Sequence, residues 1–320
     1  MGVDLSTLTN EQLLALIEKI STSDLESGGK LNPEQSREFL RMVFDATPFS
    51  QLHRKERRES KSGEIDKIGV GKRLLRKKTE DVDDNYRAGI STSKIQYNCV
   101  PVRLPWEITE ETLRQNIEGE RFEDTVMQLM TKAVGVDLED LHFNGDESST
   151  DPFLSINNGW IKLIKTNGSH VIDHTAVGSK FNKSTFFAMM QELPNKYKTA
   201  ELRWLMSPTR FLYWQEYLTS RATGAGDAAL IGAGDQVNRP LGFPAVLIPS
   251  MPDDKMILTQ PTNFIAVNTY DIRIRKTTEG REAVMQDKRF YVIHFDDDPV
   301  IEEYDAVVLM ENNPTAVGDV

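Results

Sequence analysis

The sequence contains one cysteine, no long hydrophobic run and no excess of basic residues, and each shortage excludes a class of protein. Cys99 cannot form an intrachain disulfide, and no Cys/His catalytic set surrounds it, so we predict a buried thiol without chemistry. No stretch approaches the ~20 apolar residues of a membrane span, and the first residues lack the pattern of a signal peptide. We therefore expect a protein made in a reducing cytoplasm, with no membrane partner.

The overall composition is acidic and moderately apolar. A chain of 320 residues with 39% hydrophobic residues can form one large or two modest globular domains. Its formal net charge of −11 argues against a protein that binds nucleic acid over its whole surface. Such binding needs a surface with many more Lys and Arg residues than Asp and Glu residues.

The charge is unevenly distributed along the chain. Residues 53–78 contain eleven Lys/Arg against four Asp/Glu, whereas residues 296–320 contain eight Asp/Glu and no Lys/Arg. Two interpretations are open. Both segments can be solvated surfaces, since exposed ion pairs contribute only ~0–1 kcal/mol, or the basic segment of one copy can meet an acidic edge of the next.

In the first hundred residues, the sequence predicts helices and a hairpin that need another surface to pack on. Residues 1–46 predict two short amphipathic helices, the first with Leu13 and Ile17 on its apolar face and the second capped by Asn32. Helices this short are marginal alone. Residues 47–104 are polar and Gly-rich, with strands predicted at 65–70 and 95–104, which favours an extended two-stranded hairpin. Such a hairpin is also marginal by itself.

The strongest periodicity lies between residues 105 and 146. Six apolar residues recur at helical spacing on one predicted face: Phe122, Val126, Leu129, Met130, Ala133 and Val134. Thr109 can cap a shorter helix before it, and Asn144-Gly145 is a typical C-terminal signal. The sequence therefore predicts a long helix, on the order of 35 Å at 1.5 Å per residue, around which the rest is organised.

The second half of the sequence contains patterns that predict both helices and strands. Asn182 can cap a helix that carries Phe186 and Met189, and Ser207-Pro208 can begin another. Glu279-Gly280 is predicted to turn one strand back into an antiparallel partner. Strands are predicted at 202–206, 241–248, 256–258, 264–267, 270–276, 290–295 and 307–310. The fold class is therefore α+β.

Candidate sites were tested by their spacing and context, and none predicts catalysis. Residues 69–72 lack the first glycine and the hydroxyl residue of a phosphate loop, and residues 224–234 follow a helix instead of a strand, which is the wrong context for a dinucleotide loop. The five histidines lack metal spacing, and the Asp296–Asp298 run before Pro299 predicts a solvated acidic turn. The sequence predicts no catalytic, cofactor-binding or metal site, and no enzyme.

The order of these parts resembles a tailed-phage major capsid protein of the Hong Kong 97 type. The resemblance covers about residues 31–312 and is carried by the succession of motifs: PWEIT, DLEDLHFNGD, DPFLSINNGW, FFAMMQELPNKY, WLMSPT, GDAALIGAG, PLGFPAVLIPSMP, DIRIRKTTEGREAV and IEEYDAVVLMEN. It implies an N-terminal helical arm (1–46), an extended loop lying over a neighbour (47–104), a peripheral domain with a spine helix (105–182 and return strands 273–305), and an axial domain (183–272, with a return strand and acidic tail at 306–320).

The resemblance also implies partners and a location. It implies many copies of the chain in hexamers and pentamers, a portal, decoration proteins, and double-stranded DNA enclosed without sequence-specific binding. We expect a separate scaffolding protein, because no long N-terminal segment could act as a built-in scaffold. The particle would assemble in the host cytoplasm and the chain would reside in the virion.

Three alternatives remain at this point. A cargo-enclosing nanocompartment (encapsulin) shell shares the fold. A nucleic-acid-binding protein could use the basic segment 54–78, although that segment has almost no aromatic residues between its charges. An enzyme is disfavoured because no nucleophile, metal or cofactor signature is found.

Overall fold

The computed structural model describes residues 47, 49–70, 90–115, 122–220, 239–269 and 273–318. The predicted arm helices in 1–46, the tip of the hairpin and the 224–234 loop lie outside these residues. The described strands are β1 (Arg54–Arg58), β2 (Ser62–Val70), β3 (Ile90–Asn98), β4 (Val100–Thr109), β5 (Val171–Asp173), β6 (Arg203–Met206), β7 (Ala245–Leu247), β8 (Met256–Thr259), β9 (Phe264–Thr269), β10 (Arg273–Thr277), β11 (Lys288–Ile301) and β12 (Val308–Glu311). The described α-helices are α1 (Glu110–Gln115), α2 (Phe122–Asn144), α3 (Trp160–Asn167), α4 (Lys183–Glu192), α5 (Pro208–Ser220) and α6 (Arg281–Gln286). None of them is long and apolar enough to cross a membrane.

The first large sheet is built around β11. Its first ten residues pair antiparallel with β4, from Lys288 opposite Thr109 to Asp297 opposite Val100. On its other side β11 pairs first with β10 and then with β9, and β1 adds parallel to β9. One face of this sheet packs against α2, which we call the spine helix, through Val134, Leu138, Ile293 and Phe295.

The second sheet has the strand order β5-β12-β8-β6-β7. Helices α4 and α5 cover it, and Phe186, Met189, Trp204 and Trp214 lie at the centre of the shared core. The predicted helix caps are confirmed. The Asn182 side chain accepts from the Ser184 N–H at 2.8 Å, and the Ser207 hydroxyl accepts from the Arg210 N–H at 3.1 Å. These caps satisfy N–H groups that have no partner inside the helix.

An aromatic cluster joins the two sheets at the C-terminal end of the spine helix. The Trp160 ring stacks on Phe264 with centroids 4.7 Å apart, and Phe143 and Phe49 approach it edge-on at 5.1 and 5.7 Å. The same cluster includes Ile257 and Leu309 of the second sheet. The junction between the sheets is therefore an apolar core, and the spine helix ends inside it.

Strands β2 and β3 form the predicted two-stranded hairpin, with Ser62 opposite Asn98 and Val70 opposite Ile90. The prediction of one strand over 95–104 is wrong, because the run divides at the buried Cys99 between β3 and β4, which belong to different sheets. The base of the hairpin packs on its own body, where Ile65 and Tyr97 contact Ile265 and Val267.

The spine helix forms as predicted and ends at Asn144, but its buried face differs from the predicted one. Thr131, Val134, Leu138 and Leu141 are buried, whereas Leu129 is 60% exposed. The periodicity predicted the helix correctly. The helix carries two apolar stripes, and only one of them faces the described core. The periodicity did not show that the stripes are distinct.

The connection from β10 to β11 is a short helix, not the tight turn predicted at Glu279-Gly280. Gly280 is the N-cap of α6, and Asp287, in left-handed conformation at φ 51°, ends the helix. The Asp287 carbonyl accepts from the Glu110 N–H at 2.9 Å, which joins α6 to the start of α1.

Candidate functional site

The spine helix and the first sheet enclose a buried polar junction. The His142 Nε2 lies 2.8 Å from an Asp297 carboxylate oxygen, and the other oxygen accepts from the Asn268 side chain at 2.8 Å. His142 is 2% and Asp297 0% exposed. A carboxylate so buried needs such partners, because an unpaired buried charge is costly. The pair ties the spine helix to β9 and β11.

The neighbouring carboxylates hold the base of the hairpin. Asp296 accepts from the Thr269 hydroxyl at 3.0 Å and pairs with Lys61 at 3.1 Å, and Asp298 accepts from the Asn98 N–H at 2.7 Å. The predicted solvated acidic turn is therefore wrong. Residues 296–298 lie inside β11, where each carboxylate finds a separate donor.

Burial shifts the pKa of three groups around this junction. It raises the pKa of Asp298 to about 7, and it raises the pKa of Cys99 to about 12 with the help of the nearby carboxylates. It lowers the pKa of His53 to about 3, with a further contribution from His142. The buried Cys99 is thus a poor nucleophile, as the sequence predicts.

The other histidines make local contacts. His174 is buried and lies 3.1 Å from the Gly178 carbonyl and 2.9 Å from the Thr185 hydroxyl, while His170 lies 3.1 Å from Glu192. Within the described ranges, no group of three or more His, Cys, Asp or Glu side chains could hold a metal ion.

The basic and acidic segments meet within one chain. Arg54 pairs with Glu302 at 3.1 Å, and Lys67 pairs with Glu303. The pairs of Lys61 with Asp296 and of Lys67 with Glu303 hold the hairpin on the end of β11, and Lys67, Glu302 and Glu303 line a cleft of about 1030 Å³. Several cations of the basic segment are therefore already engaged, which weakens the nucleic-acid alternative.

The face of the first sheet opposite the spine helix carries three exposed arginines. Residues directly opposite in antiparallel strands share a face, so the register aligns Arg103, His294 and Arg273 in one row. The next row is Pro105, Val292 and Arg275. We call this surface the basic sheet face; its residues are Arg103, Pro105, Glu107, Arg273, Arg275, Thr277, Phe290, Val292 and His294. All nine are exposed or half-buried, and a groove of about 770 Å³ follows Pro105, Val292 and Phe290.

Helix α6 presents an apolar tip at the same end of the sheet. Val284 is 66% and Met285 79% exposed, although Ala283 beside them is buried. Adjacent exposed large apolar side chains are typical of contact surfaces. Sequence analysis did not predict this tip, because a six-residue helix is too short for a clear periodic signal.

These surfaces suit binding between large molecules better than catalysis. The buried junction is structural, since its carboxylates are engaged by donors from the spine helix, β3, β9 and the turn before β2. The basic sheet face and the apolar tip are exposed in the described part of the chain, and each offers side chains that a partner could cover. The alternating residues of β10 place Arg273 and Arg275 on one face of the sheet, and both are exposed.

Comparison with known proteins identifies the family. No family model matches the sequence. The chain is 31% identical over 318 residues to the Bacillus subtilis (strain 168) protein described as "Putative prophage capsid protein YqbE", and the match covers 94% of this chain and 97% of that protein.

Solved structures show the fold. A chain of the satellite phage P4 procapsid, a structure that includes the size determination (Sid) protein, matches with a TM-score of 0.69 at 18% identity, covering 98% of this chain and 99% of that one. The SrpI encapsulin of Synechococcus elongatus PCC 7942 matches with a TM-score of 0.53 at 9% identity, covering 86% and 91%. The likeness to the encapsulin is weaker, so the nanocompartment alternative is not favoured. The chain therefore belongs to the family of tailed-phage major capsid proteins with the Hong Kong 97 fold, and its role is structural.

Proposed function

We propose that this chain assembles into the hexamers and pentamers of an icosahedral shell around double-stranded DNA, in the host cytoplasm. Membership of the capsid family supports a shell, and the acidic composition suits a container that must not adhere to its DNA. The observation that carries the proposal is the basic sheet face, because its residues are exposed or half-buried in the described part of the chain and their chemistry suits an acidic partner.

The acidic partner is the hairpin of a neighbouring copy. Residues 80–84 have the sequence EDVDD, which combines four carboxylates with one apolar side chain. That chemistry complements the arginines and the apolar groove of the basic sheet face. The extended loop would thereby lie over the next subunit.

The hairpin of the same chain points the wrong way for this contact. Lys67 of strand β2 pairs with Glu303, which follows the end of β11. From Lys67 the strand continues to Val70. The basic sheet face is centred near Val292, nine residues back from the end of β11, which is about 30 Å at ~3.3 Å per residue. The acidic run begins ten residues after Val70, and ten residues span at most about 36 Å even when fully extended. Val70 itself lies about 10 Å farther from the basic sheet face than Lys67 does. The contact is therefore between copies.

The presence of two sheets supports a division of the chain into two main domains. In this division residues 105–182 and 273–305 form the peripheral domain, and residues 183–272 and 306–320 form the axial domain, with 1–46 as the arm and 47–104 as the extended loop. Strand pairing crosses these boundaries, because β1 and the first half of β4, from the extended loop, and β9, from the axial domain, lie in the first sheet, and β5 lies in the second. Such exchange supports two domains that move as one body.

Other proteins complete the particle in this proposal: a separate scaffolding protein, a portal and decoration proteins. The satellite phage P4 procapsid structure includes a size determination protein, which supports a separate assembly factor for this chain too. Electron microscopy of the chain expressed with and without its neighbouring phage genes tests the proposal. We expect closed, uniform shells with those genes and irregular particles without them. Soluble monomers under both conditions would refute the shell, and uniform shells from the chain alone would refute the separate scaffold.

A further inference from the structure

The spine helix carries a second apolar stripe that no described residue covers. Val126, Leu129, Ala133 and Val136 follow one another at spacings of three, four and three residues, which is the seam of a helix-to-helix contact. Leu129 is 60% and Val136 52% exposed. The buried stripe through Thr131, Val134 and Leu138 lies on the other side of the helix, so the two stripes face different partners.

Beyond Val136, the same side of the spine helix is covered by residues of this chain. Leu129, Val136 and Phe143 are seven residues apart and therefore lie on one side of the helix. Phe143 is fully buried, and the Phe49 ring packs on it with centroids 5.0 Å apart. One turn earlier, the Thr47 side chain contacts the Glu139 carboxylate. The chain that enters the described structure at Thr47 thus arrives beside the uncovered stripe.

The sequence just before Thr47 predicts a helix of matching length. Asn32 can cap it and Pro33 suits its first position, while Pro48 disfavours helical conformation at Thr47, so the segment runs over residues 33–46. Fourteen residues make a helix of about 21 Å at 1.5 Å per residue. The spine helix from Val126 to Glu139 spans about 20 Å on the same basis.

We propose that residues 33–46 of the same chain dock as a helix, parallel to the spine helix, on the stripe formed by Val126, Leu129, Ala133 and Val136. With Thr47 beside Glu139, a parallel helix brings Val43 to the level of Gly135 and Val136, and Leu40 to the level of Lys132 and Ala133. The apolar face of the segment, which consists of Phe39, Leu40, Val43 and Phe44, meets the apolar stripe. Each half thereby covers the side chains that the other leaves exposed.

Paired cysteines test the contact and its register. Val43→Cys with Val136→Cys should form an intrachain disulfide on mild oxidation of the full chain, visible as a faster band on a non-reducing gel. Val43→Cys with Leu212→Cys is the matched control, since Leu212 is also exposed on a helix, at 61%. The buried Cys99 should not interfere. A covalent dimer through Val43 and Val136 would assign the stripe to a second copy, and no disulfide would assign it to another protein; either result overturns the proposal.

Limited trypsin digestion gives an independent readout. Arg37 and Arg41 lie in the docking segment and should be protected in the full chain. Leu129→Asp with Val136→Asp should speed cleavage there about tenfold or more, because cleavage follows the population of the undocked segment. Leu212→Asp should leave the rate unchanged. Equal cleavage in all three chains would contradict the docking, whereas shell formation is a separate result that tests the proposed function.

Discussion

At the residue scale, the buried carboxylates of β11 join the hairpin to the body, and they also make the stability depend on pH. The sequence DDDP resembles an exposed turn, and only the pairing partners from β3, β9 and the spine helix explain why it is a strand. Those partners are far away in sequence: Asn98 lies 200 residues from Asp298, and His142 lies 155 residues from Asp297. No local pattern could have predicted them.

The raised pKa of Asp298 determines whether the stability of the chain rises or falls with pH. Its ordinary pKa of 3.8 is raised to about 7 by burial, so the folded chain holds a proton that the unfolded chain releases. The free energy of unfolding must therefore fall as the pH rises through that window. Asp298→Asn stays neutral and can still accept from the Asn98 N–H. We expect its melting temperature to match the wild type near pH 4 and to exceed it at pH 8.

The exposed Asp287 supplies the control for this measurement. Asn tolerates the left-handed conformation that Asp287 adopts, so Asp287→Asn, which makes the same change of side chain, should leave the melting temperature near that of the wild type. A constant difference between Asp298→Asn and the wild type at every pH would contradict the assigned pKa.

Arg210 is fully buried, and its guanidinium supplies hydrogen bonds to three backbone carbonyl groups. It donates to the carbonyls of Asp253, Asn313 and Pro314, and so fastens the C-terminal segment to α5. Arg210→Ala leaves these acceptors without a donor and should lower the free energy of unfolding by about 3 kcal/mol or more, measured by urea titration of the unassembled chain. Arg203→Ala, at a half-exposed site, should cost under about 1 kcal/mol. Equal losses would mean that Arg210 is not the fastening residue.

At the element scale, the end of the spine helix depends on one close backbone approach. A Cβ at Gly145 would lie 2.6 Å from the carbonyl oxygens of both Asn157 and Leu141. Gly145→Ala should therefore displace the following loop and lower the melting temperature of the unassembled chain by several degrees, for a loss of about 1–3 kcal/mol.

Gly178 is the matched control for that substitution. A Cβ there would meet nothing within 4 Å, so Gly178→Ala should be neutral or slightly stabilising. If the two alanine variants melt at the same temperature, the close approach at Gly145 does not limit the fold.

Elements with strong local signals could be predicted from the sequence, and the faces they bury could not. Thr109, Asn182 and Ser207 cap helices where the sequence predicts them, because capping is a contact within a few residues. The spine helix was predicted to bury Leu129, which is exposed instead. Burial depends on which sheet packs against the helix, and that is decided by β4 and β11 far along the chain.

At the scale of the whole molecule, the chain exposes surfaces that further copies can cover. The apolar tip of α6 is the clearest case for a substitution. Met285 is 79% exposed, so Met285→Lys should leave the melting temperature of the subunit unchanged while reducing the yield of closed particles, measured by sedimentation. Gln286→Lys adds the same charge to the same helix without removing apolar area, and it should assemble normally. Normal assembly of Met285→Lys would exclude the tip as a contact.

The central claim is that the chain completes its packing among identical copies in a closed shell. Reconstruction of the purified particle by electron cryomicroscopy tests it most directly. We expect sixfold and fivefold clusters of subunits in which the hairpin of one copy crosses the basic sheet face of the next. A closed shell in which Arg103 and Arg275 face solvent, with each hairpin lying on its own chain, would contradict it.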